Sequence, residues 1–219
     1  MPVNTKYICD FEANAFIHVT SKAVGTNVLF QNDENRKYFL LKYGAYANGY
    51  FDTYAYCLLE NHTHWLIKCT DEDLLKSHLE TLPKDSLKKH QKKYLNGELN
   101  FSEAVEFQFK DFFISYAMSF NKMFKRSGSL FISPIKRILL EDDSHLTHLI
   151  VYIHANILKH KIGNDFINYR WSSYQAIITN ALISVSRNEV LEWFGGRDAF
   201  IKSHKGLSAF YYDHPFSLD

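Results

Sequence analysis

The sequence predicts an α+β fold in which strands are separated by helices and a central strand pairs antiparallel with its neighbour. Short apolar runs typical of strands alternate with longer segments of helical period along the 219-residue chain. Hydrophobic residues make up 46% and aromatic residues 16% of it, which is typical of a globular protein. The length suffices for one packed domain over residues 1–180 and a helical extension over 181–219.

The first half of the chain is predicted to hold most of the sheet. Asp33 is a suitable cap for the first helix, and Asp71 for the second. In chain order we expect a strand over 15–21, an extended piece over 28–30, a helix over 33–48, strands over 51–58 and 63–69, and helices from 71, over 84–95 and over 102–125.

The second half is predicted to add one strand and then only helices. A strand within 130–140 precedes a helix for which Asp142, Asp143 and Ser144 are N-cap candidates. Lys159, His160 and Lys161 suit the C-terminus of that helix, before Gly163, because cations are favourable there. In the tail, Ser186 caps a helix that runs to Phe194, the Gly195-Gly196 pair interrupts it, and residues 197–205 form a last helix.

Two histidines one residue apart stand in the apolar run from Tyr54 to Ile67. Alternate side chains of a strand share a face, so His62 and His64 lie one pleat apart and can bind one divalent cation. The alternative is two polar residues on the wet side of a half-buried strand. Apolar residues on both flanks, and Asn61 as a poor strand former, favour the metal site.

A second group of polar residues follows the helical period. His148, Tyr152 and Asn156 are each four positions apart and form one stripe of the predicted helix. Leu146, Leu149, Ile150, Ile153 and Ile157 fall largely on another face, which is expected to pack on the core. Tyr152 is either a packing residue or a nucleophile one turn before a metal ligand.

Together these segments resemble the REP-associated tyrosine transposases, a branch of the single-tyrosine HUH transposase family. His62-Thr63-His64 resembles the HUH motif, and Tyr152-Ile153-His154-Ala155-Asn156 resembles the Tyr-Ile-His-x-Asn signature. The resemblance extends in order over roughly residues 14–204 and includes Phe16–Lys22, Ser127–Phe131, Leu140–Asp143, Trp171–Tyr174 and Phe194–Phe200.

The resemblance implies a ferredoxin-like (RRM-like) antiparallel sheet with helices on one face, and a catalytic domain over 1–180. It implies an enzyme that nicks and rejoins single-stranded DNA, at hairpin-forming repeats, through a 5′-phosphotyrosine. Tyr152 would be the nucleophile, and His62, His64 and Asn156 would bind Mg²⁺ or Mn²⁺. Two other functions stay open: a domesticated module that binds a DNA or RNA hairpin without cutting it, and a metal-dependent phosphoester hydrolase.

Several positions depart from the family pattern. Thr63 replaces an apolar residue, Glu60 and Ile157 stand where proline is usual, and the Ser133–Arg137 stretch differs from the family's. Glu60 adds a carboxylate that can tune the metal site. His148, one turn before Tyr152, can orient or deprotonate it, and a purely structural role is equally open.

Basic residues cluster although the net charge is only +1. The DNA-binding candidates are Lys122, Lys125, Arg126, Lys136 and Arg137, with Phe120, Phe124 and Phe131 interleaved. Such a strip can contact phosphates while an aromatic ring stacks on a base. The alternative is a solvated helix face with phenylalanines in the core. A second, lysine-rich strip over 84–93 either contacts DNA or keeps the surface soluble.

Cysteine usage and hydropathy bear on location. Cys9, Cys57 and Cys69 are odd in number and lack metal-type spacing, so we expect free thiols in a reducing cytoplasm. No apolar run reaches transmembrane length, and the first residues lack a basic-then-apolar signal pattern. We expect no membrane partner. A monomer and a homodimer both stay open.

Overall fold

The computed structural model describes residues 8–140, 145–179 and 185–213, with side chains up to residue 206. Its described part contains four strands and eight helices. They are β1 (Phe16–Lys22), α1 (Asp33–Ala47), β2 (Phe51–Leu58), β3 (His62–Cys69), α2 (Glu72–Thr81), α3 (Lys89–Leu95), α4 (Phe101–Met123), β4 (Lys136–Leu139), α5 (Leu146–Lys159), α6 (Tyr174–Thr179), α7 (Arg187–Phe194) and α8 (Arg197–Asp213).

The strands form one antiparallel sheet in the order β2-β3-β1-β4. This order places β1 and β3 at the centre, with Thr20 opposite His64 and Lys22 opposite His62. A helix connects β1 to β2, and β2 and β3 form a hairpin. The α+β prediction and its ferredoxin-like sheet are confirmed.

Helices cover both faces of this sheet. Trp65 and Ile67 of β3 belong to one hydrophobic cluster with α1 and α4, whereas Leu66 belongs to a second cluster with α5, α7 and α8. The expectation of helices on one face is therefore wrong. The strands are apolar on both sides, and each side needs its own cover to remove that surface from water.

Helix α5 is buried around almost its whole circumference. Its buried residues run without interruption from Leu149 to Ile157 and include Val151, His154 and Ala155, which lie outside the expected apolar face. Strands β2 and β3 cover one side of α5, and α8 packs against another side of the same helix. The sequence analysis placed Tyr152 and Asn156 on a stripe apart from the apolar face, and the structure buries both faces: Tyr152 packs against the histidines of the sheet, and other residues of the helix pack against α8.

Most element boundaries agree with the sequence prediction to within a few residues, with local differences. Asn32, not Asp33, caps α1 by accepting a hydrogen bond from the backbone N–H of Asn35. The helix expected over 84–95 is confined to Lys89–Leu95, the strand expected within 130–140 to Lys136–Leu139, and the last helix continues to Asp213. The N-cap candidates Asp142 and Asp143, like Ser144, lie outside the described residues, as does the proposed domain boundary at 180/181.

The three cysteines are free thiols, and Cys57 and Cys69 are buried, as predicted. Across the described segments, every helix is too short or too polar to cross a lipid bilayer.

Candidate metal and tyrosine site

The two histidines of β3 point to the α5 side of the sheet. Between them Thr63 points the other way, where its hydroxyl lies 2.7 Å from Ser21 Oγ and accepts a hydrogen bond of 2.8 Å from Trp65 Nε1. Thr63 is fully buried. These two partners explain why a hydroxyl is tolerated at a position where an apolar residue is usual.

Asn61 fixes the orientation of His62. Its Oδ1 lies 2.7 Å from His62 Nδ1, which makes that nitrogen the protonated donor. The lone pair of the neutral imidazole is then on Nε2, the atom that faces α5. An outer hydrogen bond of this kind is how proteins orient a metal-binding histidine.

His64 is fully buried beside two β1 side chains. Its Nδ1 lies 3.3 Å from both His18 Nε2 and Thr20 Oγ1. Burial lowers the pKa of His64 well below its usual range, and the electrostatic influence of His18, His62, His160 and Lys159 acts in the same direction. The ring is therefore neutral at pH 7, which is the form that binds a metal ion.

A third imidazole reaches this pair from the end of α5. His160 is the C-cap residue of the helix, and its Nε2 lies 3.1 Å from His62 Nε2. One ring nitrogen from each of His62, His64 and His160 lies within 4.8 Å of the others; we call these three residues the histidine cluster. Sequence reasoning assigned His160 only to the helix end. The sequence does contain a signal for His160, because this residue continues the stripe of Tyr152 and Asn156 by one more turn.

Asn156 has a buried oxygen available for a ligand. The residue is fully buried, and its Nδ2 donates to the carbonyl oxygen of Tyr152 over 2.9 Å. Its Oδ1 has no hydrogen-bond partner among the described residues. A buried carbonyl oxygen without a partner is costly, so a bound cation would offset the cost.

Tyr152 packs between the histidines of the sheet and a lysine of its own helix. Its ring centroid lies 5.8 Å from that of His64 and 6.2 Å from that of His18, with edge-to-face geometry. Lys159 Nζ donates to the phenol oxygen over 3.1 Å and lies 5.1 Å from the ring centroid. The residue is only 3% exposed. Sequence reasoning did not single out His18 or Lys159 as site residues.

The two assisting candidates lie outside this arrangement. His148 is exposed on the first turn of α5, and Glu60 is exposed in the turn between β2 and β3. Within the described part of the chain, the metal-compatible cluster contains neither Glu60 nor any other carboxylate.

The predicted DNA-binding strip is divided by burial. Lys122 and Lys125 are exposed and Arg126 and Lys136 partly so, but Arg137 is 6% exposed and forms an ion pair with Glu106. Phe120 and Phe131 are buried in the core. These two phenylalanines therefore pack inside the protein and cannot stack on a base from these positions, whereas Phe124 is partly buried and packs against the same cluster.

The donors fit a divalent cation. Three imidazole nitrogens and one amide oxygen are ordinary protein ligands, and the 3.1 Å between His62 Nε2 and His160 Nε2 suits two nitrogens that each lie ~2.1 Å from one ion. Neutral imidazoles can bind an ion, and the phenol beside them is a potential nucleophile.

Comparison with solved structures identifies the fold of this chain. No family model matches the sequence, and no curated protein matches it. Among solved structures, a REP-associated tyrosine transposase bound to a REP hairpin is similar, with a TM-score of 0.56 and 10% sequence identity. The match covers 82% of this chain and 88% of that one. The chain therefore has the fold of a REP-associated tyrosine transposase.

Proposed function

We propose that this protein is a metal-dependent strand transferase that nicks and rejoins single-stranded DNA through a covalent 5′-phosphotyrosine at Tyr152. The observation that carries the proposal is the juxtaposition of that phenol with the histidine cluster. The Tyr152 ring lies 5.8 Å from the His64 ring, and the phenol oxygen accepts a hydrogen bond from Lys159. The shared fold supports the same conclusion.

The proposed cofactor is Mg²⁺ or Mn²⁺, held by His62, His64 and Asn156. When bound, the ion supplies a Lewis acid for the scissile phosphate and stabilises charge on the leaving oxygen. The protein prepares this site in advance. Asn61 orients His62, burial keeps His64 neutral by lowering its pKa, and the Oδ1 of Asn156 is buried without a hydrogen-bond partner among the described residues.

The chemical step is an exchange of phosphodiester bonds. The Tyr152 oxygen forms a bond to phosphorus while the bond from phosphorus to the 3′ oxygen breaks, and the phenol proton ends on the released 3′-hydroxyl. Because one ester replaces another, a second 3′-hydroxyl can reverse the reaction and rejoin the strand. Lys159 holds the phenol oxygen and places positive charge beside it as the step proceeds.

The proposed substrate is single-stranded DNA at hairpin-forming repeats. The structural neighbour is bound to a REP hairpin, which supports a hairpin ligand here. Lys122, Lys125, Arg126 and Lys136 remain the proposed phosphate contacts, and Arg137 is left out of this proposal because it is 6% exposed and pairs with Glu106. The three free thiols support the proposed cytoplasmic location.

A second candidate function is hairpin binding without cleavage. It is favoured by the burial of Tyr152, which is 3% exposed. A phosphodiester can reach the phenol only if neighbouring groups move aside, and a domesticated binding protein would not need that movement.

A covalent-trapping experiment separates these functions. The protein is incubated with labelled single-stranded hairpin oligonucleotides from the DNA that flanks its gene, with Mn²⁺ or Mg²⁺, and resolved on a denaturing gel. We expect a metal-dependent protein–DNA adduct that is absent in Tyr152→Phe and in His62→Ala. His78→Ala is the control, because that histidine lies on helix α2 and outside the histidine cluster.

Other outcomes identify the alternatives. Tight hairpin binding without an adduct would contradict the transferase and favour the binding module. Phosphoester turnover that persists in Tyr152→Phe, with no adduct, would favour a metal-dependent hydrolase.

A further inference from the structure

We propose that His160 is an additional metal ligand, and that it raises the affinity of the site for late first-row transition-metal ions relative to the Mg²⁺ or Mn²⁺ of the proposed function. The inference rests on the proposed function, because it concerns the ion at the same histidines. It goes further by naming a ligand outside the tyrosine signature and the chemical class of the ion.

The first argument is geometric. His160 Nε2 lies 3.1 Å from His62 Nε2, and one nitrogen of His64 completes a group within 4.8 Å. His62 and His64 belong to a strand, whereas His160 ends helix α5. The 3.1 Å contact is short enough for a hydrogen bond between the two rings, and an ion that replaced the shared proton would be bound by both nitrogens.

As a second argument, the backbone at the end of α5 holds His160 toward the other two histidines. The helix ends at this residue, and the next one, Lys161, adopts a left-handed conformation with φ 54°. The backbone N–H groups of Lys161 and Ile162 bond back to Leu158 and Ile157. The terminus is thus closed by its own hydrogen bonds, with the imidazole held toward β3. The negative end of the helix dipole also favours a cation at this place.

The third argument is donor chemistry. Three imidazoles and the Asn156 amide form a nitrogen-rich, uncharged donor set, and within the described residues no carboxylate joins the cluster. Mg²⁺ prefers oxygen ligands and is usually bound by carboxylates, whereas imidazole suits zinc, cobalt, nickel and iron. Each nitrogen ligand therefore shifts the preference from Mg²⁺ toward late transition metals.

The test is direct metal binding without DNA. Co²⁺ is titrated into the metal-free full-length protein and followed by its visible absorption, which reports its ligands, and Co²⁺ and Mg²⁺ affinities are measured by calorimetry. We expect His160→Ala to weaken Co²⁺ binding by about 100-fold or more and to change its absorption spectrum. Mg²⁺ affinity should change by no more than about threefold, since that ion depends less on imidazole.

Matched variants keep the test decisive. His160→Gln, which offers an amide oxygen, should weaken Co²⁺ binding while Mg²⁺ binding persists. His78→Ala, at a histidine of helix α2 outside the histidine cluster, should change neither, and circular dichroism checks that each variant is folded.

Two results would overturn the inference in distinguishable ways. If Co²⁺ binding is lost in His62→Ala but unchanged in His160→Ala, His160 is not a ligand and the proposed function stands. If the wild-type protein binds no divalent ion, both the inference and the metal-dependent function fail.

Discussion

Arg137 carries a positive charge that is paired inside the protein. Its guanidinium pairs with Glu106 and lies 4.6 Å from the centroid of the Phe11 ring, and burial lowers its pKa. Glu106 would keep its ion pair with Lys110, and its side chain is 25% exposed, so it is not left as an isolated buried charge. Arg137→Ala should therefore destabilise the protein by about 2 kcal/mol, mainly through the lost packing of the arginine side chain, measured by urea unfolding.

The same variant tests the DNA-binding strip. Arg137→Ala should leave the affinity for a hairpin oligonucleotide unchanged at a temperature where it is folded. Lys122→Ala, at an exposed position, should do the opposite: little loss of stability, weaker hairpin binding and a shallower salt dependence. A large loss of affinity in the folded Arg137 variant would restore that residue as a DNA contact.

At the scale of elements, a buried chain of hydrogen bonds joins α5 to the last helix. His204 Nδ1 donates to the carbonyl of Phe200, so its Nε2 accepts from His154 Nδ1 over 2.8 Å. His154 Nε2 then accepts from the Ser173 hydroxyl, and that oxygen accepts from the backbone N–H of Tyr56. Every donor in this chain has one acceptor, provided that both imidazoles are neutral.

The chain predicts acid sensitivity. Burial lowers the pKa of His204 to about 4, below the ordinary value of about 6.5. Because the pKa of His204 is lower in the folded than in the unfolded protein, folding is favoured by about 3 kcal/mol more above pH ~6.5 than below pH ~4. This contribution is lost as the pH falls from ~6.5 toward ~4. Urea unfolding between pH 7 and 4 should show this loss, and His204→Leu should reduce the slope.

The control for that experiment is Ile177→Val, which changes a buried side chain of the same hydrophobic cluster that does not titrate and should leave the slope unchanged. Equal pH dependence in His204→Leu and the wild type would mean that His204 does not remain neutral in the folded protein.

Much of this element level could be predicted from the sequence. Apolar period and caps located the strands and most helices, and the His62–His64 pair followed from the strand period of two. Prediction from the sequence was wrong or incomplete where contacts between distant parts of the chain determine the burial of a residue. Arg137 was assigned to DNA because a sequence records charge but not its burial, and the burial of α5 on all sides was not expected because α8, which packs on it, lies far along the chain. His160 was missed because a histidine at a helix end has an adequate local explanation.

At the scale of the whole molecule, the sheet separates two hydrophobic clusters, and the catalytic candidates lie with the second. α1 and α4 close one face with aromatic residues such as Phe39, Phe112 and Tyr116. On the other face, α5 lies between the sheet and the C-terminal helices, which contribute the fully buried Val190 and Phe200. The helix that carries Tyr152 and Asn156 is thus held in place by the extension.

This arrangement predicts that residues 1–179 do not form a stable domain without α7 and α8. Truncation after Thr179 would expose the outer side of α5, including His154, and the Tyr174 ring that packs on Phe200. We expect the truncated protein to lose cooperative thermal unfolding and to bind a hydrophobic dye. Phe200→Ala removes one side chain from the same interface and should lower the free energy of unfolding by about 3 kcal/mol. A truncated protein with the melting temperature of the full chain would instead make the extension an independent appendage, and α5 would then be positioned by the sheet alone.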